Sequence, residues 1–236
     1  MAVSPVKTAR ISVNDLALFM VSSETARIGI IKRAKNPQKP PMIRYKDAKP
    51  AICAYLADAG RSVNPLVAAE ALFNQRKNDQ SQGPLIRDDA IHSIEVLNAI
   101  QAMSNKLKSF DFHLAPNRQN KLNLAGLDVS VYSDLLVFGS NKGKDIIGSA
   151  ILRMTQDDAD SESAKVKRRE MGLCVATLAR FHTAQNIGSD REVANRLCMS
   201  IDVQHGEVFI APDANSQRMN NIENACRFIV ALWPTV

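Results

Sequence analysis

The chain has 236 residues, of which 45% are hydrophobic and 23% charged, and a net charge of +6. That length can bury one sizeable core, and the composition is ordinary for a soluble globular protein. No apolar run reaches the ~18–20 residues needed to cross a bilayer. The opening MAVSPVKTARISV lacks the apolar region and cleavage site of a signal peptide, so a cytoplasmic protein with no membrane partner is expected.

The charge is unevenly placed. Residues 1–49 carry ten cations (Lys7, Arg10, Arg27, Lys32, Arg33, Lys35, Lys39, Arg44, Lys46, Lys49) against Asp15, Glu24 and Asp47, an excess of +7 that leaves −1 for the rest. A basic face on an otherwise neutral body is the footprint of a polyanion binder, so nucleic acid is the expected partner. The other reading is a solvated face. Cys53, Cys174, Cys198 and Cys226 are scattered, with no CxxC and no histidine at ligand spacing. They are expected to be reduced, buried thiols rather than zinc ligands or disulfides.

In chain order, Ser12 or Asn14 caps a first helix over 15–21, and a second runs over 23–35 with Arg27, Lys32, Arg33 and Lys35 on its polar sides. Pro37, Pro40 and Pro41 end it, because proline lacks the amide donor. A third helix spans 47–59 and stops at Gly60, and Asn64-Pro65 opens a fourth. The polar stretch 77–83 is a loop. The longest helix covers 86–108, with apolar positions from Ile91 to Leu107 recurring at three and four. His92 and Glu95 share one of its faces.

Residues 126–155 read as a strand meander. Apolar and polar residues alternate through Leu127, Val129, Val131, Leu135 and Val137 and again over 147–154, while Gly139, Asn141 and Gly143 supply turn chemistry. No other stretch before position 200 reads as sheet. Asp134 is the acid at the centre of this meander, and Asp128 shares its parity. The acidic connector DDADSES over 157–163 follows. A long helix over 165–186 starts very basic, with Lys165, Lys167, Arg168 and Arg169, which are either a solvated helix start or phosphate contacts. Two short strands, 197–203 and 207–210, meet at His205-Gly206, and a helix over 215–233 closes the chain. His182, His205 and Asp202 have no spacing that suggests a site. The order helices, strands, helix, strands, helix indicates an α+β fold. A helical N-terminal region with a basic face over 1–84 precedes an α/β core over 85–236.

Small-molecule chemistry is disfavoured, since there is no Gly-rich phosphate loop, GxSxG elbow or HExxH. Aromatic residues are few, and they form no stacking stripe of the kind used by single-strand binders.

The element order, together with particular residues, resembles the PD-(D/E)xK nuclease superfamily, and most of all its RecB-type exonuclease branch. The opening ISVNDLALFMVSSETARIGIIKRAKNP is similar to that branch's first short helix followed by a basic helix. Ser22-Ser23 stands where the branch often has Cys-Pro, so its iron–sulfur cluster is not implied. His92 matches the histidine helix before the sheet, Asp134 in YSDLLVF matches the first acid, and the helix over 165–186 matches the one that touches DNA.

The resemblance implies a restriction-endonuclease-like core, a central mixed sheet flanked by helices. It further implies DNA rather than RNA as partner, and Mg2+ held by carboxylates on adjacent strands with a lysine two residues beyond the second. Such a metal neutralises charge on the phosphate and activates water. The third strand departs from the pattern. IIGSAILRMT offers Arg153 in place of the lysine and Ile151 in place of the acid, or Leu152 and Ala150 in the other register. Arginine can stabilise phosphate charge but cannot act as a base.

Under the nuclease reading the catalytic set is Asp134, Arg153, Glu170 and His92. Asp134 and Glu170 are then the metal ligands, Glu95 is a substitute acid, and Arg27, Lys32, Arg33, Lys35, Lys165, Lys167, Arg168 and Arg169 contact the nucleic acid. The alternative is a non-catalytic nucleic-acid-binding or assembly subunit on the same fold, with a protein partner or a second copy of the chain.

Overall fold

A computed structural model describes residues 8–38, 43–154 and 159–236. Pro40, Pro41 and the start of the acidic connector at Asp157 lie outside the described residues.

Ser12 caps α1 (Val13–Val21), its Oγ accepting the Asp15 amide at 3.1 Å and donating to the Asp15 carboxylate at 2.6 Å. The next helix, α2 (Glu24–Lys35), is joined to it by Arg27. This guanidinium lies over the Phe19 ring and donates to the Phe19 carbonyl at 3.0 Å, satisfying the end of α1. Then come α3 (Ala48–Ala57), α4 (Asn64–Asn78), opened by its proline, and α5 (Pro84–Ala102). The helix expected over 86–108 breaks at Met103, whose φ/ψ of −80°/−1° turns the chain into a separate short helix, α6 (Ser104–Leu107).

Ahead of the meander, three strands escaped the sequence reading: β1 (Arg10–Ser12), β2 (Asp111–Leu114) and β3 (Leu122–Leu124). Each spans three or four residues, too short for period-two alternation to register. They also divide the expected meander. β4 (Leu127–Ser130) pairs with β1 and β3 in a small sheet of order β1-β4-β3. β5 (Leu135–Asn141) and β6 (Lys144–Arg153) belong to a larger mixed sheet that also contains β2. The β3–β4 and β5–β6 hairpins each turn on two residues with positive φ, Ala125-Gly126 and Lys142-Gly143 respectively. This is the type I′ geometry that suits strand twist.

From β6 the chain crosses through α7 (Glu162–Asn186). It adds β7 (Glu192–Val193) parallel to β6, makes a 3-10 turn at Asn195–Leu197, and forms β8 (Met199–Asp202) parallel to β6. The strand expected from 197 therefore starts at Met199. β9 (Glu207–Ile210) turns back at Gly206, completing the order β2-β5-β6-β8-β9, and α8 (Ser216–Leu232) ends the fold. The α+β class is as expected.

The residues over 147–154 read as alternating apolar and polar, yet every residue from Ile146 to Arg153 is buried. β6 has a core on each face. Ile146, Ala150 and Leu152 meet α3, α4, α5 and α6 in one cluster. Ile151 meets α1, α2, α7, α8 and the small sheet in the other. The helical N-terminal region thus divides between the two cores: α1 and α2 pack with α7 and α8, and α3 and α4 pack with α5. The four cysteines are buried and free, as expected. No helix among the described residues is long and apolar enough to cross a membrane.

Gly148 is where the 3-10 turn crosses β6. A Cβ there would lie 2.2 Å from the Leu197 carbonyl carbon and oxygen, which are backbone and cannot yield easily. Gly148→Ala is expected to destabilise the protein by at least the upper part of the usual overpacking range of about 1–3 kcal/mol. Gly188→Ala, which meets nothing within 4 Å, should stay within about 0.5 kcal/mol. Urea denaturation midpoints of the two variants check this, and equal midpoints would refute it.

Candidate functional site

Asp134 stands just before β5, where residues 131–134 carry the chain from the small sheet to the large one. Its amide donates to the Ala150 carbonyl at 2.9 Å, and its Oδ2 accepts the Leu152 amide at 2.8 Å, so β6 clamps it by backbone alone. Its Oδ1 lies 2.7 Å from the Nζ of Lys49, in the first turn of α3. The carboxyl is 11% exposed. Burial raises its pKa above the usual carboxylate range, and the Lys49 charge and the Leu152 amide oppose that rise only in part.

The loop before Asp134 is fixed by one side chain. Gln119 Oε1 accepts the Ser133 amide at 2.9 Å while its Nε2 donates to the Ser133 carbonyl at 2.8 Å, which sets the orientation of the amide. His182, fully buried on α7, then has Nε2 2.9 Å from Gln119 Oε1, and Asn186 Nδ2 lies 3.1 Å from its Nδ1. These partners require the neutral ring with hydrogen on Nε2, and burial lowers the His182 pKa in the same sense. His182 is therefore a positioning residue two steps behind Asp134.

Asp134 and Lys49 open onto a cleft of about 680 Å³ that is also lined by Arg44, Tyr45, Cys53 and Met154. Tyr45 has a φ of 58°, in the left-handed region disfavoured for a bulky side chain. Its amide donates to the buried Asp89 carboxylate at 3.0 Å, and the neighbouring Arg44 pairs with Asp88 at 2.7 Å. The acids of α5 thus hold this turn over the cleft. Cys53 is no nucleophile there, because burial, with the Asp134 charge adding, pushes its thiol up to about 12.

The residues expected to surround Asp134 lie elsewhere. Arg153 has the parity of Ile151 and faces α7, 3.7 Å from Asp202 in a buried pair, and its neighbours are Cys174 and Arg168 rather than Asp134. Glu170 pairs with Arg218 at 2.9 Å, linking α7 to α8 in a different cleft. His92 and Glu95 share a face at 2.9 Å, as their spacing requires, and His92 also lies 3.4 Å from Asp88. They sit behind the Arg44 turn. Asp128 meets Asn123 at 2.9 Å and Lys121 at 3.6 Å on the small sheet.

The Mg2+ set implied by the resemblance does not fit this geometry. Asp134 and Glu170 line separate clefts, both Asp134 oxygens are engaged, and the Lys49 ammonium stands where a cation would bind. No group of three His, Cys, Asp or Glu among the described residues could hold a metal.

The expected nucleic-acid contacts also divide. Arg27 closes α1, and Lys35 donates to the carbonyls of Trp233 at 2.8 Å and Val236 at 2.6 Å. Lys165 lies 3.1 Å from Glu162, and the buried Arg168 donates to the Ala159 carbonyl at 2.6 Å. Lys167 and Arg169 are exposed on α7. Lys32 and Arg33 are exposed and line a separate cleft with Arg10 and Lys121. Sequence reading missed Lys49, Gln119 and Lys121, whose only signal was charge or polarity within a helix or loop.

No protein-family model and no curated protein matches the chain.

The pairing has a pH signature. A carboxyl whose folded pKa is raised stabilises the fold least at high pH, where the buried charge must be carried, and the penalty fades as pH falls and the group protonates. Lys49→Met leaves that charge unpaired. Because Lys49 is 39% exposed, the cost is taken as about 1–3 kcal/mol at pH 7 rather than that of a fully buried pair. The deficit against wild type should shrink as pH drops into the carboxylate range. Denaturant melts at pH 7 and pH 4 measure it, and a deficit that stays constant would mean that Lys49 acts only through packing.

Proposed function

We propose that the chain binds nucleic acid without cleaving it, on a fold related to the PD-(D/E)xK nucleases. The observation that carries this reading is the state of Asp134. The acid that would anchor a metal is neutralised by Lys49 at 2.7 Å and held by the Leu152 amide, and no second carboxylate lines its cleft among the described residues.

The finer assignment, a restriction-endonuclease-like core, belongs to the same proposal. It is supported by a mixed sheet in which β6 and β8 run parallel through α7, with helices packed on both faces. The polyanion partner is supported by the +7 excess within residues 1–49. DNA is the first substrate to test, as the resemblance implies.

Binding should weaken steeply with salt, as counterion release requires. Magnesium or manganese should give no cleavage of linear, circular or single-stranded DNA, and Asp134→Asn should bind as wild type does. Gel-shift and nuclease assays on the full chain check these outcomes. Metal-dependent cleavage that disappears in Asp134→Asn would overturn the non-catalytic reading in favour of a nuclease. An absence of binding would overturn the nucleic-acid reading and point to an assembly role.

A further inference from the structure

The small sheet alternates cleanly. Ile11, Leu122, Leu124, Leu127 and Val129 face the core, while Arg10, Ser12, Asn123, Asp128 and Ser130 have the opposite parity. The register sets Arg10 opposite Asp128 and Ser12 opposite Ser130. Along this outer face runs a cleft of about 1040 Å³, with Lys32 and Arg33 of α2 on one wall and Lys121 and Tyr132 also lining it.

Four exposed cations and one acidic side chain, Asp15, line the cleft, and the Asp15 carboxylate already accepts from Ser12. Arg10, Lys32 and Arg33 have no carboxylate within ion-pair distance among the described residues. Lys121 has only the 3.6 Å approach of Asp128. Tyr132 follows β4 with half of its surface exposed, a large ring left in water beside these charges.

The sequence contains no aromatic stripe, but the fold brings one ring and four cations from distant segments into a single groove. Cations spaced along a groove follow a phosphate backbone, and an exposed ring beside them offers a face on which a base can stack. A duplex keeps its bases stacked internally and has no use for such a ring, whereas a single strand can present one.

We propose that this cleft is the binding site for single-stranded nucleic acid, with Arg10, Lys32, Arg33 and Lys121 on phosphates and Tyr132 stacking on a base. The inference rests on the nucleic-acid reading above and adds both the location and the strand state. The Asp134 cleft takes no part in it.

The test is fluorescence anisotropy of the full chain with labelled oligo(dT) and oligo(U), and with a duplex of the same length, over a salt series. Four phosphate contacts to a single strand give a slope of log K against log salt of roughly −3. The double variant Lys32→Glu/Arg33→Glu should lose at least tenfold in affinity for the single strands. Tyr132→Ala should lose roughly ten- to a hundredfold, and Tyr132→Phe should stay within about twofold, because the ring face survives. All three changes are at exposed positions, and circular-dichroism melts should match wild type.

If wild type binds and the variants bind equally well, the cleft is not the site and this inference fails while the nucleic-acid reading stands. Tighter binding to the duplex, unaffected by Tyr132→Ala, would overturn the single-strand assignment. If wild type binds no nucleic acid, both readings fall together.

Discussion

Everything in this fold is referred to one strand that has no exposed face. From Ile146 to Arg153, β6 is buried on both sides, and its two edges are taken by antiparallel β5 and by parallel β7 and β8. A strand in that position must satisfy its amides and carbonyls in the sheet and can carry polar side chains only where they find partners. Ser149 meets Thr183 at 2.8 Å, and Arg153 approaches Asp202. The same constraint places Asp134. Where β5 has not yet begun, the carboxylate takes the Leu152 amide that a longer β5 would have paired. Asp134 is therefore a cap for the sheet as much as a candidate for chemistry.

That double use explains why the carboxylate is paired with a lysine. A buried acid with one backbone donor carries a desolvation penalty, and burial indeed raises its pKa. α3 arrives from the side of the sheet opposite α7 and brings Lys49 within 2.7 Å, whereas Arg153 has the wrong parity to reach. β6 carries no acid beyond Asp145 because its later residues on both faces are committed to packing: Ala150 to the α3–α5 core, Ile151 to the α7 core. A carboxylate at either position would enter a dry cluster.

Helix reading worked where the period was long and the caps explicit. Ser12 and the Asn64-Pro65 pair marked helix starts to within one or two residues, and the turn residues found both halves of the β5–β6 hairpin. It failed where information was spread across the chain. β1 owes its strand state to β4, more than a hundred residues away, and three residues of its own cannot announce that. The break at Met103 has no glycine or proline to signal it. Asp134 was legible as the acid at the centre of the meander, but Lys49 was one cation among ten, and only the fold could single it out. Tyr132 likewise read as one more alternating residue, since its exposure depends on the chain leaving the small sheet at 131.

The charge distribution follows from the same packing. Arg44, Arg76, Arg191 and Arg218 pair with Asp88, Asp47, Asp145 and Glu170, and Lys49 with Asp134. Arg27 and Lys35 point into backbone carbonyls at helix and chain junctions. These charges act over a few ångströms and add little at a distance, because screening removes unpaired fields beyond about 8–10 Å and cancels paired ones sooner. The cations of the β1-β4-β3 cleft, by contrast, converge across one groove in which they outnumber the acidic side chains, with Asp15 lining it and Asp128 approaching Lys121, so their potentials add where a groove concentrates the field. The +7 of the first 49 residues is therefore not a uniform basic face. Among the described residues, Arg27, Lys35, Arg44 and Lys49 of that segment are engaged within the fold, while Arg10, Lys32 and Arg33 gather in the groove beside Tyr132.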